Sequence, residues 1–246
     1  VTIRVAPVGL SRLAAGDSAC RAGAYIDDFQ LTVDCLLTLI CQNGNMTEQS
    51  LWMQQVAKDP GHSQWYVERF RTMEREGKDV VGEARFIDAM AARGSRILDA
   101  GCGAGRIAGY LAAVGHDVVG ADVDPVLVAA AEKDHPGPRW LVNDLAELDL
   151  PACGIDEPFD IIVSAGNVMT FLAPSTRVTV LRRLRAHLSD DGRAVIGFGA
   201  GRDYPFDDFF YDAKSAGFEA DVLLAAWDVR PFTADSEFLV AVLRPA

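Results

Sequence analysis

The sequence predicts an α/β fold: a doubly wound, mostly parallel sheet with helices on both faces, closed by a final hairpin. Three observations carry that expectation. From residue 95 onward, short apolar runs alternate with segments of helical period. The apolar runs are nearly continuous, as strands buried on both faces require. The first run passes through Gly101, Gly103 and Gly105 straight into a helical segment, the strand–turn–helix corner at which open α/β sheets take their ligands.

The elements follow in order. Residues 1–45 show no sustained period of two or 3.6 and are expected to be a poorly ordered or non-native extension; a short packed helix at 31–41 is the alternative. Helical patterning begins after Thr47, a suitable N-cap, so the domain is read as 46–246. Within it, 46–92 is a helical lid in three pieces, broken at Pro60-Gly61 and Gly77, and 93–246 is the α/β core. The core is read as strands at 95–100, 117–122, 139–143, 159–165 and 193–199, with helices at 104–114, 125–134 and 176–188. Asp124 before Pro125 is a cap followed by a favoured first-turn residue. A short helix at 207–216 and strands at 218–228 and 237–244 complete the chain.

Bulk properties narrow the function. A net charge of -12 over 246 residues disfavours sequence-independent binding to a polyanion, so no nucleic-acid partner is expected. The longest apolar candidate, Leu31 to Cys41, is short and contains Asp34, so no membrane span is expected either. Cys20, Cys35, Cys41, Cys102 and Cys153 form no CxxC pair, which fits a reducing, cytoplasmic setting. With the four histidines scattered, no metal site is expected.

The glycine turn reads Asp99-Ala100-Gly101-Cys102-Gly103-Ala104-Gly105. A dinucleotide fingerprint needs glycine at the sixth position, where Arg106 stands. An acidic residue followed by Gly-x-Gly-x-Gly resembles motif I of the class I S-adenosylmethionine (SAM)-dependent methyltransferases, and the resemblance runs from about Phe70 to Ala246. It implies a Rossmann-like, seven-stranded sheet of order 3-2-1-4-5-7-6 with the last strand antiparallel, N-terminal helices over the cofactor site, and SAM as cofactor.

Asp122 ends the second strand, where a carboxylate across the crevice from the glycine turn can accept hydrogen bonds from both ribose hydroxyls. NAD enzymes use an acid there too. By the resemblance, Asp144 after the third strand accepts the adenine N6 amino group and the Leu145 N–H meets adenine N1. Val123 joins the cofactor set beside Asp122. Asp99, with the backbone of Ala100 and Gly101, faces the methionine end; the alternative is that Asp99 only fixes the turn. Ser164 and Ala165, ahead of Gly166 and Asn167, supply carbonyls toward the ammonium. Tyr66 and Arg69 on the lid are candidates for the methionine carboxylate, with plain amphipathic packing as the equal alternative. Arg106 is open between the helix and a ligand carboxylate, and Arg182, Arg183 and Arg185 read as a wet helix face.

The implied activity is transfer of the SAM methyl group to the O, N, S or C atom of a small-molecule acceptor. The segment after the fourth strand, Ser-Ala-Gly-Asn-Val-Met-Thr-Phe, lacks the Asn-Pro-Pro-Tyr pattern used on amide and adenine nitrogens. The acceptor pocket is expected from the lid, 167–171 and the aromatic stretch 204–211, where Tyr204 and Tyr211 are candidate bases; the alternative is that these aromatics pack the last helix on the sheet. No catalytic residue is assigned. Two other readings stay open: a SAM- or nucleotide-binding regulatory protein without transfer activity, and an NAD-dependent oxidoreductase.

Overall fold

The computed structural model describes residues 47–246. The expected extension at 1–45 and the helix at 31–41 lie outside the described residues. Helix α1 (Leu51–Lys58) leads into α2 (His62–Arg75) and α3 (Gly82–Met90). The cap of α1 is Ser50, whose Oγ accepts the Met53 N–H at 3.3 Å, so the first helix begins three residues later than a Thr47 cap predicts. The core then alternates through β1 (Arg96–Ala100), α4 (Arg106–Ala113), β2 (Asp117–Asp122), α5 (Pro125–Asp134), β3 (Arg139–Val142) and β4 (Phe159–Ser164). A four-residue helix α6 (Val168–Phe171) precedes α7 (Arg177–His187), β5 (Leu188–Gly199), α8 (Phe206–Ser215), β6 (Phe218–Leu224) and β7 (Phe238–Pro245). Among the described residues no helix is long and apolar enough to cross a membrane.

The seven strands form one sheet of order β3-β2-β1-β4-β5-β7-β6. β1 to β5 pair in parallel, and β7 runs antiparallel between β5 and β6. Side chains alternate across a strand, and here both sides are dry. Leu98, Ile162 and Ile196 face one core with Leu181 and Leu184 of α7 and Phe209 of α8. Ile97, Ile161 and Val195 face the other, with Ile87 of α3 and Leu111 of α4. Burying each such side chain contributes about 1.5–3 kcal/mol.

Two strands depart from expectation. β5 starts at Leu188, not 193, because its pairing with β4 jumps from Phe159↔Leu188 to Ile161↔Arg193. The Ser-Asp-Asp-Gly segment that reads as a turn is absorbed in that irregularity. β6 stops at Leu224, because Trp227 leaves the strand line to fill the space above Gly197, where a Cβ would stand 2.4 Å from its ring.

The parallel core brings the carboxyl ends of β1, β2 and β3 side by side. Gly101 N–H and Cys102 N–H both donate to the Ala121 carbonyl, at 2.8 and 3.1 Å, and Asn143 N–H donates to the Asp122 carbonyl at 2.9 Å. The glycine turn and the ends of the next two strands are therefore stitched together by main-chain bonds.

Candidate functional site

At that edge lies a cavity open to solvent. Its floor is the glycine turn. Gly101, Gly103 and Gly105 have φ of 81°, 54° and 86°, values that disfavour any residue with a Cβ. Space adds a second requirement, since a Cβ on Gly101 would stand 2.4 Å from Val168 and one on Gly103 would stand 3.4 Å from Tyr66. Gly105 serves packing: a Cβ there would meet Trp140 and Ala131 at 2.6 and 2.7 Å.

One wall carries both strand-end carboxylates. Asp122 accepts the Gly103 N–H at 2.8 Å and the Asp124 N–H at 2.9 Å on its two oxygens, and it still lines the cavity. An ionised carboxylate has about four acceptor positions, so further donors can be taken. Burial pushes the Asp122 carboxyl up to about 6, against the pull of those two N–H donors. Asp144 lines the same cavity, with one oxygen accepting the Ala146 N–H at 2.9 Å. Val123 and Leu145 lie beside their acidic neighbours in the lining. Arg183, read as solvated, instead donates to the carbonyls of Ala146 and Leu148 at 2.8 and 2.9 Å and so holds the loop that carries Asp144.

The opposite wall is apolar. Ala165, Gly166, Val168, Phe171 and Leu172 come from the segment after β4, and Leu127 from α5. Ser50, Trp52 and Tyr66 cover the cavity from the N-terminal helices. Trp52 sits edge-on to Tyr66 and Phe171, with ring centroids 5.3 and 5.5 Å away. Burial pushes the Tyr66 phenol up, with Arg106 opposing. Asn167, held at φ 69°, accepts the Gly199 N–H at 2.8 Å and so ties this wall to the end of β5.

The remaining expected residues sit differently. Asp99 is buried beneath the turn, where it accepts the Ala108 N–H of α4 at 3.1 Å. Ala100 is fully buried in β1. Ser164 is fully buried as well, and its hydroxyl has no partner among the described residues. Arg69 is exposed, its guanidinium 5.7 Å from the Trp65 ring. Arg106 forms a bidentate pair with Glu83, at 2.8 and 2.6 Å, and donates to the Val80 carbonyl.

The aromatic stretch packs the last helix on the sheet rather than walling the cavity. Tyr204 is 1% exposed, stacks on Phe198 and donates to Asp212 at 2.8 Å, so its phenol is pushed far up and is no base. Tyr211 is 74% exposed and is not part of the cavity lining. Sequence reasoning missed Ser50, Trp52, Leu127 and Leu172. Only an amphipathic pattern marks their helices and loops, and nothing in it says which apolar residues face a ligand.

A family profile described as a methyltransferase domain matches residues 97–192. The chain resembles the solved structure of a TehB-like SAM-dependent methyltransferase from Corynebacterium glutamicum, at 50% identity, 76% coverage of this chain, 100% of that one and a TM-score of 0.73. Among curated proteins it is 34% identical over 117 residues to magnesium-protoporphyrin O-methyltransferase of Rhodobacter capsulatus, covering 44% of this chain and 48% of that protein. It is 29% identical over 103 residues to malonyl-[acyl-carrier protein] O-methyltransferase of Pectobacterium atrosepticum, covering 42% and 39%. The matches thus span less than half the length of these curated relatives.

Proposed function

The chain belongs to the SAM-dependent methyltransferases, and from that membership we propose that it moves the SAM methyl group to a small-molecule acceptor, with the cavity beside the glycine turn as the cofactor site. One observation carries the reading: Asp122, the last residue of β2, and Asp144, two residues beyond β3, line the same cavity as Gly101 and Gly103. The residues fit such a ligand. The two glycines leave the backbone bare where a Cβ would fill the floor, and the two carboxylates face the same space with acceptor positions left for hydroxyl and amino donors.

In this reading Asp122 takes the ribose hydroxyls, Asp144 and the Leu145 N–H take the adenine edge, and Gly101 and Gly103 run along the methionine portion. Tyr66 covers that portion from α2. Asp99, Ala100, Gly105 and Ser164 shape the site from behind the lining, and Arg69 stays at the surface. When bound, SAM supplies a methyl group already activated by a sulfonium. The chain is left to orient the acceptor and exclude water, which demands no dedicated catalytic group. Trp52, Val168, Phe171 and Leu172 form the apolar wall suited to the acceptor and to water exclusion.

Calorimetry with SAM, its demethylated product S-adenosylhomocysteine (SAH) and NAD tests the cofactor assignment: SAM and SAH bind, NAD does not. Asp144→Ala weakens SAM binding by about 1–3 kcal/mol, as loss of a hydrogen bond to a charged group requires. Tight SAM binding with no turnover across a broad panel of acceptors would instead mark a regulatory protein.

A further inference from the structure

We propose that Asp124 is a positioning residue that latches α1 and α2 over the cofactor cavity. It is 1% exposed and receives a donor from each helix on one carboxylate oxygen: Trp52 Nε1–H at 2.8 Å and Ser63 Oγ–H at 2.5 Å. Its other oxygen accepts the Val126 N–H at 2.9 Å and caps α5. The inference rests on the cavity being the cofactor site, because Trp52 is part of its lining.

Beyond Asp124, α2 is held to α5 by Val67 packed on Leu127 and Ala130 and by Arg71 paired with Asp134 at 2.7 Å. α1 contains no buried residue, and α2 buries only Ser63 and Val67. A segment with so little apolar burial opens at low cost, which is the property of a lid. Hydrogen bonds to a carboxylate are about twice as strong as neutral ones, and the two converging on Asp124 are the ones that hold Trp52, a residue of the cavity lining. The Asp124 N–H also donates to Asp122 at 2.9 Å, so the latch and the ribose carboxylate form one bonded unit. Release of a bound cofactor therefore requires that Trp52 and Ser63 let go of Asp124.

Asp124→Asn separates the latch from the helix cap. Asparagine keeps an oxygen for the Val126 N–H and is an equally good N-cap, but its amide NH2 meets two donors where the carboxylate oxygen stood. Two measurements on the full chain test the proposal: the SAH dissociation rate by stopped flow, and amide hydrogen exchange of the ligand-free protein. SAH leaves the variant roughly tenfold to a hundredfold faster. Exchange accelerates over 51–75 while α5 and the strands keep their wild-type protection, and Ser63→Ala shows a smaller effect of the same kind. Wild-type release and exchange in Asp124→Asn overturn the latch while SAH binding by the wild type leaves the cofactor site standing. Acceleration spread over the whole core also overturns it, as simple destabilisation. A wild-type protein that binds neither SAM nor SAH overturns both readings.

Discussion

Asp122 accepts the Gly103 N–H at 2.8 Å, which joins the end of β2 to the turn after β1. One carboxylate thus sets the shape of the glycine turn and lines the cavity proposed for SAM. Asp122→Ala therefore loses on two counts. SAM binding weakens by about 1–3 kcal/mol, and the Gly103 and Asp124 N–H groups are orphaned at a further cost of about 1–3 kcal/mol in stability. Calorimetry and denaturant unfolding read the two losses separately. Asp122→Asn retains an acceptor oxygen and loses less stability than the alanine variant.

With Asp122 on the ribose as proposed, cofactor affinity is expected to depend on pH. In the ligand-free protein it is pushed up to about 6, and only its ionised form offers all its lone pairs to hydroxyl donors. Affinity for SAM rises as pH increases through about 6 and levels off above it. Asp122→Asn flattens this rise; an unchanged rise in the variant would assign it to another group.

Gly101→Ala fails for two independent reasons. Its φ of 81° strains an L side chain, and the new Cβ would stand 2.4 Å from Val168 Cγ2. Val168 lines the cavity, so relief of the clash narrows the site. The variant loses about 1–3 kcal/mol of stability and binds SAM at least tenfold more weakly. Pairing it with Val168→Ala removes the two methyl clashes and leaves the φ penalty and a 3.1 Å contact with the residue 168 Cβ, so a double-mutant cycle shows a partial recovery.

Much of this site is legible in the chain because it is local. The turn and Asp122 stand at strand ends and Asp144 follows β3 by two residues, and buried parallel strands announce their ends by the loss of apolar residues. β2 and α5 fall at 117–122 and 125–134 as the pattern predicts. The lid is another matter. Ser63 and Val67 define the inward stripe of α2, and Arg69 falls about 140° around the helix from its centre while Tyr66 falls about 80° from it, so Tyr66 reaches the cavity and Arg69 does not. Trp52 escapes notice because its value lies in a hydrogen bond to a residue 72 positions away. The expected pocket role of 204–211 gives way because Phe198, facing the core at the end of β5, collects Tyr204, Phe206 and Phe209 around it.

Arg106 is a structural cation in this arrangement. Its pair with Glu83 is 14% and 20% exposed, bridges α3 to the start of α4, and leaves the guanidinium 5.3 Å from the Phe70 ring. Removing one partner strands the other in a poorly solvated place, so Glu83→Gln and Arg106→Gln each cost about 3 kcal/mol of stability. The double variant costs less than the sum of the two. Denaturant unfolding checks this; additive losses would show that the two side chains act separately.

Asp99 gives the stability of the ligand-free protein a pH signature. Burial pushes its carboxyl up to about 7, the Arg106 charge and the Ala108 N–H pull against that, and Asp122 adds to the rise. An unfolded aspartate titrates near 3.9, so the folded chain keeps a proton that the unfolded chain has released across the window from about 4 to about 7. Stability therefore falls as pH rises through that window and levels off above it. Asp122, pushed up to about 6, acts in the same sense over a narrower window. Asp79, held down at about 2 by Arg85, acts in the opposite sense only below pH 4 and does not intrude. Asp99→Asn keeps an oxygen for the Ala108 N–H and cannot ionise, so its stability declines less between pH 5 and 8 than that of the wild type. Unfolding free energies of the two proteins at half-unit steps decide the matter: parallel curves would mean that Asp99 holds the same charge in the folded and unfolded chains.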